Sequence, residues 1–134
     1  MFLDASAIVA ILVREPGHDV LIDRLEVATR LMTSGVAVIE AVLALHRIDR
    51  VPITAANEAV KNFLAKANVV LVPLADAETR VAVAAYAQFG KGQGHPARLN
   101  LGDCFAYACA RTHDVPLLFV GEDFARTDIR SAMT

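Results

Sequence analysis

The 134-residue chain is long enough to bury a core without disulfides and short enough to form one domain over residues 1–134. Its net charge of −2 excludes a generally basic surface, so any contact with nucleic acid must come from a local basic patch or a bound cation. Hydrophobic residues make up 55% of the chain, above the average for soluble proteins, and the surplus predicts a surface that meets a partner.

From Met1 to Val13 the only charge is Asp4. Phe2-Leu3-Asp4 reads as a short buried strand that hands over to a helix capped by Asp4 or Ser6. That places the acid at a strand's carboxyl end, where parallel α/β sheets bind their ligands. The opening is too short to span a membrane and lacks a basic start or a small-residue cleavage site. The expectation is a cytoplasmic protein without a membrane partner.

Asp19 to Ala28 alternates Val20, Leu21 and Leu25 with charges and predicts a helix. Leu31 to Ser34 is a second β-rich run, followed by Val36 to Leu45, apolar all round except for Glu40, the pattern of a buried helix. With Thr54 as its cap, the next helix sets Ala56, Ala59, Val60, Phe63, Leu64 and Ala67 at amphipathic spacing. Val69 to Val72 is the third strand, and beyond Pro73 a helix steps Val81, Ala85 and Phe89 down one face.

Gly90-Lys91-Gly92-Gln93-Gly94-His95-Pro96 lacks the spacing of a phosphate-binding Walker loop and reads as a flexible connection, with Lys91 and Arg98 free to meet a nucleic-acid backbone. Leu99 to Ala110 is helical, with Asp103 as its only charge. Cys104 and Cys109, five apart and far from any zinc-type spacing, read as reduced core cysteines. Leu117 to Val120 is a fourth strand, trailed by Asp123. Strands separated by helices predict a parallel sheet covered on both faces.

Three apolar segments thus carry one acid each, Asp4, Glu40 and Asp103, with no base inside any of them. A buried carboxylate must be paired, protonated or metal-bound, and Asp123 gives a fourth acid at a strand's carboxyl end. Oxygen ligands without His or Cys favour Mg²⁺ or Mn²⁺ over zinc. Each acid also has a structural reading. Asp4 caps a helix, Asp103 sits third in a helix capped by Asn100, Asp123 shapes a turn, and Glu40 occupies an exposed helix edge. Those readings leave unexplained why three apolar segments each keep one acid.

Through Phe2-Leu3-Asp4-Ala5-Ser6-Ala7, the Glu40 helix, and the run from Gly90-Lys91-Gly92 to Leu99-Asn100-Leu101-Gly102-Asp103, the chain resembles PIN-domain ribonucleases, specifically the VapC-type toxins of bacterial toxin–antitoxin pairs. Leu118-Phe119-Val120-Gly121-Glu122-Asp123-Phe124 and Thr127-Asp128-Ile129 complete a likeness that runs end to end. The resemblance implies a parallel sheet of order 3-2-1-4, with a short fifth strand near Asp128 left open. It implies Mg²⁺-dependent endonucleolytic cleavage of RNA, with Mn²⁺ as a substitute, a cognate VapB-type antitoxin, and a homodimer that meets DNA only through that antitoxin.

Carried over residue by residue, the resemblance makes Asp4 and Asp103 direct metal ligands. Glu40 and Asp123 complete the acidic site directly or through water, Ser6 is a hydroxyl support, and Asn100 supports Asp103. A haloacid-dehalogenase-like phosphatase would need a second acid where Ser6 stands, and a receiver domain would need an acid where the chain has Pro73-Leu74. The strongest rival is a non-catalytic module whose acidic cluster only holds a partner protein.

Overall fold

The computed structural model describes residues 1–134. Four two-residue parallel strands form the sheet: β1 (Phe2–Leu3), β2 (Met32–Thr33), β3 (Val70–Leu71) and β4 (Leu117–Leu118). They lie in the order β3-β2-β1-β4, as expected. Phe2 pairs with Met32 on one side and Leu117 on the other, so β1 is central and Asp4 emerges in the middle of the sheet's carboxyl edge. No fifth strand forms near Asp128. The returning chain adds only a single bridge between Leu117 and Ser131, because the left-over edge of β4 is met by one residue.

Six helices fill the crossovers: α1 (Ala5–Leu12), α2 (His18–Val27), α3 (Gly35–Asp49), α4 (Ile53–Lys66), α5 (Asp76–Phe89) and α6 (Leu101–Thr112). Successive strand residues point to opposite faces, and the core divides accordingly. Leu3 and Leu118 pack with Ile8, Val42, Leu45 and Val60 from α1, α3 and α4. Phe2, Met32 and Leu117 pack on the other face with Ala85, Phe89, Cys104 and Tyr107 from α5 and α6. Cys104 and Cys109 are buried and free, as the spacing predicts.

Three expectations are corrected. Thr54 lies inside α4 rather than capping it, since Pro52, extended at φ −57° and ψ 151°, holds the N-cap position. Helix α3 is not buried all round. Ala37, Ala41, Val42 and Leu45 face the core, while Ile39, Leu43 and Ile48 stand about half exposed on the far side. The sheet is not fully covered either, because β3 is an edge strand with both Val70 and Leu71 exposed.

The α5–α6 connection is tied at its base, with Lys91 N–H donating to the Leu99 carbonyl and Leu99 N–H to the Phe89 carbonyl, both at 2.9 Å. Gly90 closes α5 where a Cβ would strike the Tyr86 carbonyl. No helix is long and apolar enough to cross a membrane.

Candidate active site

Asp4 is the N-cap of α1, with extended backbone at the end of β1. Its Oδ2 accepts from the Ser6 backbone N–H at 3.0 Å and from the Ser6 hydroxyl at 2.6 Å. Ser6 Oγ in turn accepts the Val120 N–H at 3.0 Å, so one hydroxyl ties the Asp4 carboxylate to the chain leaving β4. The Ser6 and Val120 backbone N–H groups can only donate, which fixes the direction of two of these three bonds.

Asp103 sits at the third position of α6 in a reciprocal cap. Asp103 N–H donates to Asn100 Oδ1 at 2.8 Å, and Asn100 N–H donates to Asp103 Oδ2 at 3.0 Å. This is the capping box expected of such spacing. Asp103 is therefore both a helix-capping acid and a member of the acidic group, and Asn100 supports it from outside the pocket.

Glu40 projects from α3 onto the first turn of α6. Its carboxylate lies against Gly102, in the space a Cβ at that position would fill. Any larger residue would push Glu40 away from Asp103, the next residue along.

These residues share one pocket of about 570 Å³ running between α1 and α3. Asp4, Ser6, Glu40, Asp103 and Val120 line one end, and Glu15, Arg47 and Ile48 line it as well. Asp123 is exposed at the start of a 3-10 turn, Phe124–Arg126, and does not form part of the wall. Its charge still reaches Asp4 and Asp103. Lys91 and Arg98 are exposed on the α5–α6 connection and do not line the pocket.

The acids hold one another's protons. Burial raises the Asp4 carboxyl above its ordinary range, against the pull of the Ser6 hydrogen bonds, and Asp123 adds to the rise. Burial first, then the charges of Asp4 and Asp103, pushes Glu40 up to about 7. Burial likewise lifts Asp103 to about 6, opposed by the Asn100 hydrogen bond and helped by Asp4 and Asp123. Carboxyls with such perturbed affinities in a cleft are a signature of functional sites.

Two wall residues escaped the sequence reading. Arg47 lies seven residues beyond Glu40, on the same helical face, and that spacing is a signal the sequence does carry. Glu15 follows α1 in an irregular segment, and nothing in its neighbourhood marks it.

No three acidic, histidine or cysteine side chains converge here tightly enough to make a ready cation cage. The donor set nevertheless suits a hard divalent cation, being all oxygen, and Gly102 clears the space that lets Glu40 lie beside Asp103.

The parallel sheet of order 3-2-1-4 with acids gathered at its carboxyl edge defines a PIN-like α/β protein. The PIN domain family model matches residues 1–130. The chain is 41% identical over 134 residues to ribonuclease VapC42 of Mycobacterium tuberculosis, and to a VapC ribonuclease of Mycobacterium bovis, covering all of both chains in each case. It is 42% identical to a VapC ribonuclease of Rhizobium meliloti, covering 96% of this chain and 98% of that one. The chain belongs to the VapC-type ribonucleases of the PIN-domain family.

Proposed function

We propose that the protein is the toxin of a toxin–antitoxin pair, a metal-dependent endoribonuclease that hydrolyses RNA phosphodiester bonds and is restrained by a cognate VapB-type antitoxin. The observation that carries this reading is the single pocket in which Asp4, Glu40 and Asp103 crowd their charges together with no ion-pair partner. Like charges so placed call for a cation.

Asp4 and Asp103 are the residues to hold Mg²⁺, or Mn²⁺ in its place, with Glu40 and Asp123 completing the set directly or through water. Bound there, the cation would supply Lewis acidity and an activated water. Ser6 keeps Asp4 from turning, since its hydroxyl is fixed by the Val120 N–H. Attack by water leaves the ribose 2′-hydroxyl unused, so the products carry 5′-phosphate and 3′-hydroxyl ends.

A homodimer is part of the proposal. An apolar groove of about 530 Å³ between α5 and α6, lined by Val83, Tyr86, Leu101 and Phe105, offers a face for it. DNA would be met only through the antitoxin.

The test is cleavage of RNA by the purified protein freed of partner, with Mg²⁺ or Mn²⁺ and with chelator. Cleavage should need the cation and vanish in Asp4→Asn. Cutting that survives exhaustive chelation would remove the metal mechanism, and a protein that never cuts would be the non-catalytic binding module.

A further inference from the structure

The acidic pocket is longer than the acids alone require. Its α3 wall presents Glu40, Leu43, Ala44, Arg47 and Ile48, a stripe at spacings of three, four, seven and eight. Seven residues of helix separate Glu40 from Arg47, about 10 Å along the axis. The pocket is therefore a trough, with Arg47 set along α3 from Glu40 and with Glu15, beyond the far end of α1, also on its wall.

Arg47 is the only base on a wall that also carries Asp4, Glu15, Glu40 and Asp103. The ion pairs of the structure take up Arg80, Arg111 and Arg130 and leave Arg47 without a carboxylate partner. Among four acids, its guanidinium remains exposed and available to an incoming anion. A guanidinium grips phosphate through two parallel hydrogen bonds, which fixes direction as well as charge.

We propose that Arg47 binds a backbone phosphate of the RNA strand beside the one that is cut, and so sets the register of the strand along the trough. Leu43 and Ala44, lying between Glu40 and Arg47 on that wall, give the intervening nucleotide an apolar surface. Arg47 also offsets the repulsion that the acids impose on a polyanion. The inference rests on the ribonuclease reading, with Arg47 contributing to binding rather than to the bond-breaking step.

The experiment measures two things on Arg47→Ala, Arg47→Lys and Lys61→Ala, the last removing an exposed charge on α4 that lines no part of the trough. The first is binding of a short fluorescent single-stranded RNA over a salt series, each change being placed in an Asp4→Asn background that does not cut. Arg47→Ala should weaken binding roughly tenfold and flatten the salt dependence by about 0.7 in log–log slope. Arg47→Lys should keep the slope and recover only part of the affinity. Lys61→Ala should leave both unchanged.

The second measurement is steady-state cleavage with Asp4 intact. Arg47→Ala should raise KM roughly tenfold while kcat stays within about twofold, the pattern of lost binding shared by ground and transition states. Unchanged RNA affinity and salt slope in Arg47→Ala would overturn the proposal, including the case in which that variant loses only its grip on a partner protein. If the wild type cuts no RNA yet Arg47→Ala still loses RNA affinity and slope, the ribonuclease reading fails and the phosphate contact stands.

Discussion

The carboxylate of Glu40 rests on Gly102, filling the space where any other residue would place its Cβ. Gly102 is the second residue of α6, in its first turn, where glycine costs at most the roughly 1 kcal/mol relative to alanine of a helix interior. Here the glycine lets two helices bring Glu40 and Asp103 to one pocket.

Gly102→Ala should therefore separate stability from activity. The obstacle is the end of a flexible side chain, so Glu40 can swing aside and the helix gains alanine's propensity. Unfolding free energy should change by no more than about 1 kcal/mol in either direction. RNA cleavage should fall on the order of 100-fold, because displacing a reacting group by about 1 Å has that effect. A variant that folds and cuts as well as the wild type would show that the position of Glu40 does not matter.

The acids should make the metal-free protein less stable as pH rises. Glu40 and Asp103 have proton affinities raised in the fold, from their ordinary 4.5 and 3.8 to about 7 and about 6. Between those limits the native state binds more protons than the unfolded chain, so stability falls with rising pH. No penalty exists below the ordinary values, and the full penalty is present above about 7.

With solvent screening of these half-buried groups the loss is about 1–2 kcal/mol, or roughly 3–6 °C in Tm. Thermal melts in chelator at pH 5 and pH 8 measure the larger part of it. Asp103→Asn keeps an oxygen for the Asn100 N–H while removing one charge, so it should melt higher than the wild type at pH 8 and by a smaller margin at pH 5, where the Asp103 penalty is only partly developed. Excess Mg²⁺ should restore the wild type at pH 8. A mutant that melts lower at pH 8 and still cuts RNA would reduce Asp103 to its capping role.

Ser6→Ala removes the hydroxyl that donates to Asp4 and accepts from Val120. Hydrogen bonds to a charged carboxylate contribute about 1.5–3 kcal/mol, and the loss should appear as lower stability in a thermal melt. Cleavage should drop roughly tenfold as the carboxylate loses its fixed orientation. Ser6→Thr, if the added methyl is accommodated, should recover part of both. Equal stability and rate in Ser6→Ala would make the serine dispensable.

The sequence by itself determined the sheet's four strands, their separation by helices and the isolated acids, because apolar periodicity and an uncompensated charge are local properties of the chain. Asp4 at a strand end and Asp103 behind Asn100 were legible for the same reason, as cap chemistry spans only three residues. Tertiary structure alone decided which side of α3 met solvent, since Ile39 and Leu43 look as buried as Val42 until the neighbouring helices take one face. It decided, too, that Glu40 lies on Gly102, that Asp123 stays on the rim, and that Glu15 and Arg47 share a trough with the acids. Those relations join residues tens of positions apart, and helix packing sets the distances between them.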